Sequence, residues 1–455
     1  MIIEDKSSKI DIGGMMKDLQ RLIKIPSVSA KNQYLEKCAE EIVKIMKESG
    51  ISSELLYLDK EYANAPPIVY GEIKSKSNPQ GKTILFYNHY DVQPEEPIDL
   101  WEYDPFEGII EDNKIFGRGS SDDKGELITR INAVKYLLKH TGDVPLNIKF
   151  LIEGEEEIGS NNISNYLNKF KDKFKNDLVI WEFGYINQKK HPIISLGMKG
   201  LLYIEMTSTG PSKDVHSSLA VLIENPVWTL IRAISTMTDK YGKILIEDWY
   251  KETIPLTNEE LKLIENEVFD EDSFKKEYGI DNLLNNITIK DAKEALVNEP
   301  TCNISGIISG YTGNGAKTIL PSKASVKIDF RLVPGMDPNI QFERLKTHML
   351  KNGFGDIKIT CINGEAAGRT EINNPYVKLV QESANKVFGN SIISISSAGT
   401  GPMHAFIDVL KAPCISIGGT YVYSRIHSPN EYALIDLLEK TTECMITIIN
   451  TVSRN

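Results

Sequence analysis

Cysteine is scarce in this 455-residue chain: there are five, Cys38, Cys302, Cys361, Cys414 and Cys444, odd in number, widely separated and without a Cys-x-x-Cys pair. That excludes a disulfide framework and a thiolate zinc site and points to a reducing compartment. Long apolar runs are missing as well. No stretch of about 18 uncharged apolar residues occurs, and the start, MIIEDKSSKIDIGG, has neither a basic n-region nor a long apolar h-region. The chain therefore reads as soluble and cytoplasmic, with no membrane partner. Positive charge is in deficit: 52 Lys plus Arg stand against 63 Asp plus Glu, a formal charge of -11 that would repel a polyphosphate backbone and argues against nucleic acid as a partner. What the chain does have is apolar mass, 41% hydrophobic residues, on a length that exceeds one core and implies two or three domains.

The periodicities alternate. Apolar residues Ala39, Ile42, Val43 and Met46 recur at helical spacing between Glu36 and Ser49, and Gly50 stops them. TILFYNHYDV from Thr83 predicts a buried strand, Lys124 to His140 a helix, and Leu146 to Glu153 and Asp177 to Glu182 two further strands. This rhythm gives an α/β class with a mostly parallel sheet. At Gly197 to Gly200 the pattern changes. A strand from Leu201 to Ser208, a helix from about Asn225 to Lys240, a long acidic helical stretch to Glu299, the strand KASVKIDFRLV, a helix after Pro338 and a strand near Ile357 to Ile362 form a second unit, inserted into the first. The α/β rhythm then returns with a helix from Asn373, the strands SIISIS and CISIG, a helix after Pro402 and a last helix from Asn430. The domains are therefore 1–199 with 369–455, and the insertion 200–368.

Four segments put carboxylates or a histidine at the C-terminal ends of strands or in adjacent turns, where α/β sheets bind ligands. In NHYD, the period of two places His89 and Asp91 on one face, so Asp91 could orient the imidazole; alone, His89 reads equally as a loop histidine. In GRGSSDDKG, Asp122 and Asp123 precede a helix. An N-cap explains one aspartate, and the Gly-Arg-Gly suggests a backbone that turns tightly beside something. In EGEEEIGS, Glu155, Glu156 and Glu157 leave a buried strand, which needs a counter-charge unless they form an acidic first helical turn. Glu182 ends DLVIWE, and His427 sits in SRIHSPNEY, where a surface histidine is the alternative. Taken together, two histidines and several carboxylates make the N/O donor mixture that suits zinc, manganese or cobalt, in a number that fits two ions.

NHYDVQP, GRGSSDDKG, EGEEEIGS and IHSPNE, in this order, with GYTGNGAKTILPSKA and IDFRLVPGMDP, resemble the M20 family of co-catalytic metallopeptidases, in particular its cytosolic dipeptidase (carnosine dipeptidase-like) branch. The resemblance runs from about Leu19 to the last helix. It implies a catalytic domain carrying two divalent ions, Zn2+ with Mn2+ or Co2+ as alternatives, and an inserted α+β lid and dimerisation domain. His89 and Glu182 resemble the ligands of one ion, Glu157 and His427 those of the other, and Asp122 the bridging carboxylate. Asp91 looks like the residue that orients His89, Glu156 like the general base on a water bridging the ions, and Glu155 like a bystander. In the insertion, His216 of KDVHSS resembles a histidine that reaches a partner subunit's site and stabilises the oxyanion, and Arg331 resembles the grip on the substrate carboxylate. AGTGPM would set Gly399, Thr400 and Gly401 at a helix N-terminus, where backbone N–H groups also receive that carboxylate.

The implied activity is hydrolysis of the amide bond of dipeptides or short peptides with a free C-terminal carboxylate, by a homodimer. The alternatives are an N-acyl amino-acid deacylase of desuccinylase or aminoacylase type and a carboxypeptidase. Three positions depart from the family pattern. Asn88 stands where Gly usually precedes the first metal histidine, Glu182 is more typical of the acylase and carboxypeptidase branches, and the segment around Thr400 replaces Gly-Gly-Ser.

Overall fold

A computed structural model describes residues 9–267 and 269–455 of the protein. The first eight residues, on which part of the reading of the chain start depends, lie outside the described residues. The chain divides into two compact units, one comprising residues up to Gly197 with Arg369–Ile395 and Ala405–Asn455, the other comprising Met198–Gly368 with Ser396–His404. The nine-residue stretch Ser396–His404, which the sequence rhythm groups with the final α/β segment, therefore clusters with the second unit instead.

In the first unit the β-rich runs pair into an eight-stranded sheet in the order Ser52–Leu56, Ile68–Ile73, Asn147–Glu153, Thr83–His89, Leu178–Trp181, Cys414–Ser416, Ile193–Ser195 and Ile392–Ser394. Its centre is parallel: Thr83–His89 lies between Asn147–Glu153 and Leu178–Trp181, and Cys414–Ser416 continues the same direction. Ser52–Leu56 and Ile68–Ile73 are antiparallel additions at one side. Ile84, Phe86, Ile148, Phe150, Ile152 and Ile180 of the central strands are buried in one core with Leu127, Ile131 and Val134 of the Lys124–Thr141 helix. That helix is buried almost all round, so it runs through the unit rather than over it. Its first residue, Lys124, sends Nζ to the carbonyls of Leu22 at 2.9 Å and Ile25 at 2.8 Å, satisfying acceptors at the C-terminal end of the Ile12–Ile23 helix. Gly125 has to be glycine, because a Cβ there would lie 2.1 Å from the Ser120 carbonyl oxygen.

The second unit is built on an antiparallel sheet ordered Thr301–Ser309, Lys323–Leu332, Gly200–Thr209, Lys358–Glu365. Burial alternates strictly along Gly200–Thr209, and the inward residues Leu202, Ile204 and Met206 pack with Val326, Ile328 and Phe330 against the helices Pro226–Ser235 and Pro338–Lys351. The acidic stretch is not one long helix. It breaks into Asn258–Asn266, Glu271–Tyr278 and Ile289–Asn298, started by side-chain caps from Thr257, Asp270 and Thr288, with the second helix stopped by Gly279 at φ 64°.

Candidate metal centre

Parallel strands end together, and three chain segments arrive at one edge of the sheet because of it. His89 is the last residue of its strand and stands in register with Glu153, after which the chain turns into the short 3-10 helix Glu156–Ile158. Glu182 follows Leu178–Trp181, and its backbone carbonyl is held at 2.9 Å by Nη2 of the fully buried Arg130, which also ion-pairs with Glu126. Asp122 comes from the turn before the Lys124–Thr141 helix, and His427 from the turn before Tyr432–Leu434.

These residues converge. Asp122 places Oδ1 3.0 Å from His89 Nε2 and Oδ2 3.1 Å from His427 Nε2, one oxygen to each imidazole. The same His427 nitrogen lies 3.1 Å from Glu157 Oε2, and His89 Nε2 lies 4.0 Å from Glu182 Oε2. Two groups of possible metal donors result, His89 with Asp122 and Glu157, and His89 with Asp123 and Glu182, with ligand atoms within 4.8 Å of one another in each. Asp123 in the second group is not among the ligands that the sequence resemblance implies. Its side chain makes no cap bond to the helix that it precedes; it accepts from Asn88 Nδ2 at 2.7 Å and from the His89 backbone N–H at 3.0 Å. Asn88 in place of glycine thus holds an acidic neighbour of the site.

The site fits divalent ions. Glu182 Oε2 and Asp123 Oδ1 are buried without a hydrogen-bond partner among the described residues, an arrangement that costs free energy unless a cation meets them. Burial, and then repulsion from Glu156, pushes the Glu182 carboxyl well above the usual carboxylate range; burial likewise raises Glu156, where the nearby His89 only partly compensates. Burial would raise Asp122 too, but hydrogen bonds from His427 and His89 outweigh it and hold its carboxyl below the ordinary value. His427 is pushed up to about 10 by Asp122 and Glu157. A crowd of buried carboxylates with two imidazoles is the donor set that hard-to-borderline cations satisfy.

Two carboxylates frame the centre from behind. Asp91 accepts the backbone N–H groups of Glu156 at 3.2 Å and Glu157 at 3.0 Å, and its Oδ1 lies 3.3 Å from His89 Nδ1, while its backbone carbonyl is 3.0 Å from the same nitrogen. One residue therefore turns the Nε2 of His89 toward Asp122 and fixes the turn that presents both glutamates. Glu431, which the sequence reading passed over, accepts from the backbone N–H groups of Gly119 at 3.1 Å, Ser121 at 3.0 Å and Asp122 at 3.1 Å, and from Arg118 Nη1 at 2.8 Å. It is what the Gly-Arg-Gly turn wraps around. The signal lay in the same SRIHSPNEY segment as His427, four residues on. Because Arg118 and Glu431 are each 1% exposed, Glu431→Ala is expected to strand a buried guanidinium and destabilise the protein by about 3 kcal/mol, read as a lower urea midpoint. An unchanged midpoint would contradict the assignment.

Glu155 turns away from the histidines and accepts from Asn162 N at 3.1 Å and Nδ2 at 2.9 Å. The remaining candidates belong to the second unit. His216 is exposed on the short Val215–His216 strand, and its Nδ1 accepts from the Ser218 N–H at 3.2 Å, which leaves Nε2–H as a donor. Arg331 lies near the end of the Lys323–Leu332 strand and donates from Nη1 to Thr400 Oγ1 at 2.7 Å. Gly399, Thr400 and Gly401 lie just before the Met403–Leu410 helix.

A profile of the Peptidase family M20/M25/M40 matches residues 85–451, a span that contains every one of the donors above. The chain belongs to this family. As an M20 peptidase it is a metal-dependent hydrolase acting on peptide bonds. It is 29% identical over 455 residues to the Cys-Gly metallodipeptidase dug1 of Schizosaccharomyces pombe, covering 95% of this chain and 94% of that protein. To the Beta-Ala-His dipeptidase of Rattus norvegicus it is 28% identical over 387 residues, covering 82% of this chain and 77% of that one. Among solved structures, the M20 family metallo-carboxypeptidase Sso-CP2 from Sulfolobus solfataricus superposes with a TM-score of 0.91 at 39% identity, covering 97% of this chain and 99% of that one.

Proposed function

We propose that the protein is a two-metal hydrolase of dipeptides or short peptides with a free C-terminal carboxylate. The observation that carries the reading is Asp122, with one oxygen on each of the two imidazoles. His89, Glu182 and Asp122, with Asp123 adjacent, would hold one divalent ion, and Asp122, Glu157 and His427 the other. Such a pair of ions, zinc in this reading with manganese or cobalt as alternatives, supplies Lewis-acid polarisation of the scissile carbonyl and lowers the pKa of water.

Glu156 belongs to neither donor group, yet sits next to Glu157 with its backbone fixed by Asp91. Burial raises its carboxyl, which favours the protonated form and so suits it to take a proton from the attacking water and deliver it to the leaving amine. In this reading Arg331 receives the substrate carboxylate, helped by the backbone N–H groups of Thr400 and Gly401, the Gly399 N–H being engaged by Ser397 Oγ at 3.1 Å, and His216 from a second copy donates Nε2–H to the developing oxyanion. Homodimerisation through the second unit is supported by the edge strand Thr301–Ser309, which exposes Ile304, Ile307 and Ile308, and by exposed Val221, Leu222, Trp228 and Ile231. We place it in the cytoplasm, in keeping with five unpaired cysteines. Among the described residues no helix is long and apolar enough to cross a membrane.

A carboxypeptidase is the second reading, favoured by Glu182 and by the likeness to Sso-CP2; an N-acyl amino-acid deacylase shares the chemistry. Parallel assays on dipeptides, longer peptides and N-acetyl or N-succinyl amino acids separate the three. Highest kcat/KM on dipeptides is expected; highest values on longer peptides or on N-acyl amino acids would replace the substrate assignment while leaving the metal centre in place.

A further inference from the structure

We propose that Gln93 is a positioning residue for Glu157 and that it sets the affinity of the ion which Glu157 and His427 would hold. The inference rests on the two-metal reading above. Gln93 belongs to NHYDVQP, whose His89 and Asp91 the site already uses. Its Nε2 donates to Glu157 Oε2 at 2.8 Å and to the Glu157 backbone carbonyl at 3.2 Å. A side-chain amide carries two N–H groups on that nitrogen, and both go to one residue. Asp91 accepts the backbone N–H of the same Glu157 at 3.0 Å. Two residues of one loop thus hold Glu157 by both backbone groups and by its carboxylate. The oxygen that Gln93 holds is the one 3.1 Å from His427 Nε2. A carboxylate oxygen has two lone-pair directions, so one remains for a cation after the amide has taken the other.

The two imidazoles differ in how firmly they are placed. The His89 side chain is 1% exposed and Asp91 meets its Nδ1, whereas the His427 side chain is 50% exposed and sits on a turn at φ 57°. On the His427 side, rigidity therefore has to come from Glu157, whose side chain is 3% exposed. A glutamate left alone has several rotatable bonds whose freedom is lost on ligation. The bond from Gln93 removes much of that loss before an ion arrives. Gln93 can do this because its backbone is pinned at both flanks. The Val92 N–H donates to the Ser27 carbonyl at 2.9 Å and Val92 bridges to Val28, while Arg118 Nη2 donates to the Pro94 carbonyl at 3.1 Å. The same guanidinium holds Glu431, which accepts the Asp122 N–H at 3.1 Å, so Gln93 is fixed relative to the carboxylate that both imidazoles share.

The test uses Gln93→Met, which keeps the length and deletes the donor, and Gln93→Glu, which keeps the shape and faces Glu157 with a second carboxylate. Both are made in wild-type and Glu157→Ala backgrounds. Chelator-stripped protein is titrated with zinc against a chromophoric chelator to give two dissociation constants, and the urea midpoint of each metal-free protein is recorded. Gln93→Met is expected to weaken one of the two ions by about 10- to 100-fold and to leave the other unchanged. Gln93→Glu should weaken the same ion at least as much, whereas a residue that only fills space would tolerate this isosteric change. In the Glu157→Ala background neither substitution should alter the affinity of the remaining ion. Equal weakening of both ions, wild-type affinities in Gln93→Glu, or an effect that persists at full size without the Glu157 side chain would overturn the proposal. Should the methionine protein not fold, the glutamate variant decides alone. Wild-type protein that binds fewer than two ions would instead remove the two-metal reading, and the Gln93 proposal falls with it.

Discussion

Glu156→Gln is expected to lower kcat by about a hundred- to ten-thousandfold while leaving metal content and fold unchanged. The amide has the shape of the acid but cannot accept the proton, and Glu156 is in neither donor group, so ion binding should not depend on its charge. Asp91 holds the Glu156 backbone, and glutamine leaves that contact in place. Turnover is measured beside elemental analysis of the same preparation. Wild-type turnover with metal bound would show that some other group moves the proton, and Glu157 would not be a ready substitute because its Oε2 is engaged by His427 and by Gln93 Nε2 at 2.8 Å.

Asp122→Ala should have the second large effect, the loss of most bound metal and of activity with it. Among the described residues, Asp122 is the carboxylate ion-paired with both His89 and His427. Asp91→Asn makes the instructive contrast. Asp91 touches His89 through Nδ1 and holds the glutamate turn, so its loss should weaken metal affinity by about 10- to 100-fold without abolishing binding. Equal metal content in wild-type and Asp122→Ala proteins would remove Asp122 from the role of shared ligand.

Much of the site is legible in the sequence because the chemistry is local to strand ends. A run such as TILFYNH has to be a buried strand, and in a parallel sheet the residues that end such runs meet at one edge, so His89, Glu157 and Glu182 can be gathered before any coordinates. What stays hidden depends on long-range partners. Glu431 acquires its meaning only by folding back onto Arg118 and the Asp122 turn, more than three hundred residues earlier. Asp123 looks like a helix cap from its position, yet its carboxylate is taken by Asn88 and His89. The same holds in the fold. Ser52–Leu56 is a half-polar edge strand that presents little periodicity, and Thr301–Ser309 is exposed along nearly its whole length, so neither carries the apolar alternation that announces a strand. The acidic region, conversely, carries a helical composition throughout, and its division into three helices is set by caps at Thr257, Asp270 and Thr288 rather than by hydrophobic pattern. The short Ser396–His404 stretch joins the second unit through Lys199 and Arg331, contacts that composition does not reveal.

The most direct measurement is metal stoichiometry against activity. The purified protein is stripped with a chelator, and zinc or manganese is titrated back while bound metal per chain and dipeptide turnover are followed together. The proposed two-metal reading predicts that activity disappears on stripping and returns as binding approaches two ions per chain. Full turnover in protein verified to be metal-free would contradict the account at its centre.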